Sequence, residues 1–541
     1  MPRGRIARVL ALAWAMLLAS GSASGENAVG DENAGALVVD QGIGVRLHEG
    51  RDIVLLADPE KGEGYLSLAR RLCGDERHAP ALEAANRGLP VILGREVEVP
   101  WDLLRDEYRY LALRVLFPED RYRDGTYEHR PESCADLNYG EGLWQVALWF
   151  TGKGENWDEI AADNGLTGPD LPRGRAIRVR RALLRPEFEP PTSGANGLLR
   201  YGRDQRGEFA VYELKKGEAL YSAVVLRFTG LVEREDVTAA VDEIAERSEI
   251  SDLRDLPVGF RVKIPLDLLD TPFLPENHRR RVLARVRADE LASVVVPRRP
   301  RSLDGVHVIL DPGHGGADLG TRNHRIWESD YVYDTACRVA RLLESETGAR
   351  VHLTVTDPEY GCRVFDRDKL IANKKEQIAT HPPHAIRGGR STTVSVNLRW
   401  YLANAIYRSL TRDEGVSPEN IVFLSLHADS RHRSLRGGMV YIPGERYRRG
   451  THAMNSSAPY RKYREWKAAP KVTFSRKERL RDEVVSRKLA TALLEGYEHE
   501  QLPIHLNRPV RDHIVRAGRR GRRRRWVPAV LRGNAVPAKL L

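Results

Sequence analysis

From Val306 onward, short apolar runs alternate with segments of helical period. Val306 to Leu310 is a buried-strand pattern broken only by His307, and Asp311-Pro312-Gly313 stops it. Glu328 to Leu343 carries Tyr331, Val332, Val339, Leu342 and Leu343 at roughly helical spacing. Arg350 to Thr354 then reads as a strand, Leu398 to Leu410 as a helix, and Ile421 to Leu426 as a second buried strand. A last helix is expected over Glu483 to Tyr497, with Val484, Leu489, Leu493 and Leu494 facing the core. This alternation predicts an α/β domain over 305–541, with a mixed or mostly parallel sheet and helices on both faces. Pro358 to Val396 reads as an insertion over the cleft, and it and a second irregular interval, Gly444 to Lys477, are both candidates to gate the groove.

Upstream the pattern changes to a repeat: a short strand, a Gly before an aromatic or Leu, two helices, and Gly-x-x-apolar-x-apolar. The first copy, 52–104, has Gly64-Tyr65, Asn86, and Gly94 before Val97 and Val99. The second, 138–184, has Gly142-Leu143-Trp144, Asn164, and Gly174 before Ile177 and Val179. The third, 210–269, has Leu220-Tyr221, Ser248 where the others carry Asn, and Gly259 before Val262 and Ile264. Residues 25–51 hold a short strand at Ala36 to Val39, and 270–304 reads as a linker with a helix to Leu291 and the Pro/Arg run Pro297 to Arg301.

Composition adds bounds. A chain of 541 residues, 30% charged and 41% hydrophobic, implies several globular domains. Arg3, Arg5 and Arg8, the apolar run Val9 to Leu18 and Ser22-Ala23-Ser24 read as a signal peptide over 1–24, so a periplasmic or secreted protein without a membrane span after cleavage is expected. Export turns the net charge of +11 away from nucleic acid and toward peptidoglycan carboxylates or anionic lipid heads, and makes the six arginines between Arg519 and Arg525 an exposed basic loop near an acidic glycopeptide. The four cysteines are too sparse for a disulfide scaffold, although export permits a Cys337–Cys362 bridge beside the alternative of free thiols.

The chemistry sits at strand ends. His314 stands in the glycine turn Gly313 to Gly316, Glu328 opens the following helix, and His427 ends the strand Ile421 to Leu426. Two imidazoles and a carboxylate suit Zn2+, which in catalytic sites takes three such ligands and keeps a fourth position for water. His324 is a weaker rival ligand, and His307 reads as a packed residue.

Asp311-Pro312-Gly313-His314-Gly315-Gly316, Glu328, Leu398-Arg399 with Ala403-Asn404, and Ser425-Leu426-His427-Ala428-Asp429 together resemble the zinc-dependent N-acetylmuramoyl-L-alanine amidases. The resemblance implies that His314, Glu328 and His427 hold zinc, with Asp311, Arg399 and Asn404 steadying them. It also implies hydrolysis of the amide between muramic acid and L-alanine in peptidoglycan. The repeats resemble the LysM module, which implies glycan binding, with Gly64, Tyr65 and Asn86 as candidates by analogy. The family's general base is a Glu on the last strand. Val527 to Leu531 and Val536 to Leu541 look like the approach to it, and no Asp or Glu follows Asp512, so that Glu is expected beyond Leu541. Two alternatives stand beside this reading: a non-catalytic peptidoglycan-binding protein that lacks the base, and a zinc carboxypeptidase. The sequence identifies no activator protein.

Overall fold

The computed structural model describes residues 36–48, 52–131, 142–171, 175–189, 197–296, 302–364, 370–389, 392–429, 437–454, 456–505, 507–517, 523–536 and 538–540. The expected signal peptide, the Pro/Arg run of the linker and the tip of the arginine-rich segment lie outside them.

The three repeats take one plan. In the first, Asp52–Ala57 and Val97–Pro100 pair antiparallel around helical segments at Tyr65–Cys73 and Ala79–Ala85. In the second, Thr126–His129 pairs with Ile177–Arg180 around helices Leu143–Thr151 and Trp157–Asp163. In the third, Gly207–Glu213 pairs with Arg261–Pro265 around Leu220–Leu226 and Arg234–Arg247. The second unit therefore begins before residue 138; its first strand was hidden by Glu128 and His129, which are polar yet buried. His129 Nδ1 lies 2.6 Å from Asp120 Oδ2, so this burial is paired.

The recurring Asn has a structural reason. Asn86 Nδ2 donates to Leu82 O and Glu98 O, both at 2.8 Å, and its Oδ1 accepts from Glu98 N at 3.0 Å. Asn164 makes the same bonds to Ile160 O, Arg178 O and Arg178 N. Ser248 Oγ bonds Lys263 N and O in the third unit. One side chain thus ties the end of the second helix to the last strand, satisfying backbone groups that burial would otherwise leave unpaired.

Units one and two share a core, joined by the helix Asp106–Leu116, whereas unit three has its own. The segment 270–304 departs from the linker expectation. Its helix, Arg279–Ala292, buries Val282, Leu283 and Val286 in the shared core of the first two units.

The α/β domain comprises β1 (His307–Pro312), α1 (Glu328–Glu346), β2 (Arg350–Leu353), α2 (Thr392–Arg412), β3 (Ile421–Leu426), β4 (Val440–Tyr441), α3 (Arg476–His499), β5 (Val510–Arg511) and β6 (Ala538–Leu540). The strand order is β2-β1-β3-β6-β4-β5. The first four run parallel, β4 runs antiparallel to β6, and β5 follows β4. Every residue of β1 is buried, because helices cover both faces as the alternation predicted. Leu310 packs with Val332 and Ala336 of α1, and Ile309 with Ala403 and Leu410 of α2. The Pro358 to Val396 interval forms a small sheet with Val355–Thr356, which reaches the glycine turn of His314.

Helix α3 starts at Arg476, seven residues before the predicted start, with Ser475 and Glu478 in a capping box. Its buried face carries Arg476, Arg479 and Glu483, which a pattern of apolar positions cannot reveal. These charges meet the rest of the chain. Arg287 of the connecting helix donates to Glu445 at 2.6 Å and to Glu483, Arg476 pairs with Glu290, and Arg479 reaches Glu60 and, at 2.9 Å, Glu445.

Burial alone would push the Glu445 carboxyl up, but Arg287, Arg476 and Arg479 hold it at about 2 against an ordinary 4.5. A depressed carboxyl contributes stability above its unfolded value and loses it as pH falls through the folded value. Acid unfolding monitored by circular dichroism should therefore show stability on the order of 3 kcal/mol disappearing between roughly pH 4.5 and 2. Glu445→Gln should flatten that stretch; an unchanged acid profile would contradict the assignment.

Candidate metal centre

β1 and β3 run parallel with Pro312 level with Leu426, so their carboxyl ends deliver His314 and His427 to one edge of the sheet. Open α/β sheets place ligand sites there. The N-terminal residue of α1, Glu328, faces both. The nitrogen and oxygen atoms of His314, Glu328 and His427 that could hold a metal ion lie within 4.8 Å of one another, the one such group of three found among the described residues.

Each ligand is oriented. Asp318 Oδ1 holds His314 Nδ1 at 3.0 Å, which leaves Nε2 facing Glu328 Oε2 at 3.5 Å. His427 Nδ1 is 3.0 Å from Glu328 Oε1. That oxygen also accepts from Ala428 N at 3.0 Å, while Oε2 accepts from Thr321 N at 3.0 Å and Thr321 Oγ1 at 3.1 Å. The Glu328 side chain is fully buried, and the two imidazoles remain about a quarter exposed. The centre is thus closed behind the carboxylate and open in front of the rings.

The electrostatics match a cation's place. Burial pushes Glu328 up, yet the His427 hydrogen bond, the two imidazoles and Thr321 N hold its carboxyl down at about 2. Burial lowers His314, but Asp318 and Glu328 outweigh it and raise its pKa. A buried anion facing two imidazole nitrogens is the donor set that zinc prefers.

Glycine is required where backbone and ligands crowd. A Cβ on Gly313 would stand 2.5–2.7 Å from the His427 ring. Gly320 has φ +68, and its Cβ would meet Glu328 Oε2 at 2.6 Å and His314 Cδ2 at 2.8 Å. His314 itself has φ +63, a conformation costing a non-glycine residue about 1–3 kcal/mol.

Behind the turn, Arg399 of α2 donates from Nη1 to Asp311 Oδ1 at 2.7 Å and to Pro312 O at 2.5 Å, and from Nη2 to His314 O. Asp311 also accepts from Ser425 Oγ at 2.6 Å and from Thr354 Oγ1. Arg399 and Asp311 therefore brace the backbone that presents His314. Asn404 works elsewhere, donating to Gly533 O and accepting from Ala535 N to fix the approach to β6. His324 is exposed on a turn and outside the cluster, and His307 packs against His352 at 2.9 Å. Tyr65 OH donates to Leu89 O, Gly64 precedes the first helix of unit one, and Asn86 is occupied as described. Cys337 and Cys362 are disulfide-bonded, and Cys73 is free and buried.

Sequence reasoning missed Asp318 and Thr321, which orient His314 and Glu328, and Glu376, whose Oε2 accepts from Gly316 N at 2.7 Å. Asp318 could have been found as a carboxylate four residues past a turn histidine. Glu376 lies sixty residues beyond the turn, and no local pattern marks it.

Residues 308–381 match the profile of the family described as Amidase_3, N-acetylmuramoyl-L-alanine amidase. Among curated proteins, the chain is 44% identical over 61 residues to the probable cell wall amidase LytH of Staphylococcus aureus, an overlap of 11% of this chain and 21% of that protein. It thus spans about a fifth of that relative's length. Among solved structures it is similar to the N-acetylmuramyl-L-alanine amidase Ami1 of Mycobacterium smegmatis, at 17% identity and a TM-score of 0.23 over 44% of this chain and 82% of that one. An N-acetylmuramoyl-L-alanine amidase of Clostridium difficile 630 matches at 15% identity and a TM-score of 0.20, over 43% and 77%.

His314→Ala or His427→Ala should each abolish stoichiometric zinc in atomic absorption measurements while circular dichroism stays native. Retention of zinc by both variants would refute the ligand set. Asp318→Ala should weaken zinc about 10- to 100-fold in chelator competition.

Proposed function

We propose that this chain is an exported, zinc-dependent N-acetylmuramoyl-L-alanine amidase held on peptidoglycan by LysM-like repeats. The observation that carries the reading is the convergence of His314, Glu328 and His427 at one sheet edge, with two of the three inside the matched segment. Export rests on the signal-peptide pattern, and no helix among the described residues is long and apolar enough to cross a membrane. When bound, zinc supplies Lewis acidity toward the carbonyl and the water. The chain's own residues hold that position: Asp318 fixes the ring of His314, Thr321 and Ala428 N fix Glu328, and Arg399 fixes the turn.

Turnover in this reading also needs a general base to take the proton of the attacking water. β6 runs parallel to β3 with Leu540 level with Ser425, beside the strand that leads to His427. General acid–base catalysis contributes about 10²- to 10⁴-fold. A wall-binding protein that keeps the metal pocket without turnover is the second reading. It is favoured by the three repeat units.

Mass spectrometry of products from purified sacculi separates these readings. The proposal expects intact glycan and free stem peptides beginning with L-alanine, abolished by His427→Ala. Shortened stems still attached to glycan would make it a carboxypeptidase. Cosedimentation with sacculi without any release would favour the binding protein.

A further inference from the structure

Two of the small repeat sheets end at one cleft. In unit two the strand Arg121–Arg123 pairs on one side with Thr126–His129, and in unit three Arg200–Asp204 pairs on one side with Gly207–Glu213. Each is the outermost strand of its three-stranded sheet, and no other strand bonds its outer edge among the described residues. Both line a cleft of about 1040 Å³, the first through Arg121 and the second through Tyr201, Gly202 and Arg203. No residue of the α/β domain lines it, so it is a different place from the candidate metal centre.

The cleft is aromatic inside and basic around. Tyr110 and Tyr127 are buried against Phe188, with ring centroids 5.1 and 5.2 Å from it, and all three line the cavity. Its carboxylates are engaged: Asp120 is buried and accepts from Arg130 N at 2.7 Å, Glu119 lies 3.9 Å from Arg130, and Glu208 lies 3.9 Å from Arg203. Arg114 and Arg279 spend donors on neutral backbone oxygens, Asp120 O at 2.7 Å and Val39 O, and Arg121 is exposed. Five guanidinium groups thus face three carboxylates, and the surplus charge is positive.

An outermost strand presents N–H and C=O groups at the spacing of an extended backbone, which a peptide matches by pairing as a further strand. A sugar chain has no such repeat. Guanidinium groups beside that edge suit carboxylates, which they bind with two parallel hydrogen bonds. We propose that an extended acidic peptide adds to the Arg200–Asp204 edge within this cleft, with its carboxylates on Arg121 and Arg203. The site does not depend on the metal centre or on the hydrolytic reading above.

Fluorescence anisotropy of a labelled Ala-Glu-Ala-Glu-Ala peptide with the full chain tests this at about physiological ionic strength, where exposed charges alone are largely screened. One saturable site is expected. Arg121→Ala combined with Arg203→Ala should weaken it at least tenfold, with the circular dichroism spectrum unchanged. Arg70→Ala combined with Arg77→Ala, which removes the same charge from unit one, should change it less than twofold, as should His427→Ala at the candidate metal centre. The Ala-Gln-Ala-Gln-Ala peptide should bind at least tenfold more weakly. Of two acidic peptides N-methylated on alternate residues in opposite phase, one should lose binding by a similar factor, because only every second residue turns its backbone groups to the edge. Absence of a saturable site, equal losses in the two double variants, equal binding of the Gln peptide, or full binding of both methylated peptides would overturn the proposal. Loss of binding in His427→Ala would overturn it by assigning the peptide to the metal centre, and binding of chitotetraose without the peptide would do so by assigning the cleft to glycan.

Discussion

The candidate metal centre depends on a buried ion pair that touches none of the candidate ligand atoms. Arg399 comes from the middle of α2, is 5% exposed, and meets Asp311, 1% exposed, at the end of β1. It also donates to Pro312 O and His314 O, so one guanidinium ties the Asp311 carboxylate to two carbonyls of the backbone path into the site. Losing either partner would leave a buried charge uncompensated, which typically costs about 3–5 kcal/mol. The pair does more than stabilise. His314 has a positive φ, and the bond from Arg399 to its carbonyl restrains a conformation that the residue would otherwise leave.

From that brace the arrangement propagates outward. Ser425 on β3 and Thr354 after β2 donate to Asp311, which ties the three neighbouring strand ends to each other. His427 then follows Ser425 by two residues, and Gly313 leaves room for its ring. The small sheet of the insertion closes over Gly315 and Gly316, with Ile386 and Glu376 at contact distance. Strand order, turn glycines and insertion thus act together on the position of one imidazole.

Much of this could be read from the sequence, for physical reasons. β3 is legible with its observed bounds because a mostly buried strand is mostly apolar, and this places His427 at that strand's end. Glu328 was found because α1 has a clear amphipathic period starting at that residue. What escaped was polar burial. Arg476, Arg479 and Glu483 carry no apolar signal, yet they form the contact with Arg287, Glu290 and Glu60, so the apolar pattern starts α3 too late and leaves 270–304 reading as a linker. Glu128 and His129 concealed a strand in the same way. Asn404 was grouped with Arg399 by resemblance, but contacts separate them: one holds the ligand turn and the other the approach to β6.

The central claim is that two imidazole nitrogens and one carboxylate oxygen from these remote segments share a single zinc ion. X-ray absorption at the zinc edge of the loaded protein addresses it directly. The account predicts a first shell of nitrogen and oxygen at about 2.0–2.2 Å, with the multiple-scattering signature of two imidazoles. A shell containing sulfur, or oxygen alone without imidazole scattering, would contradict it.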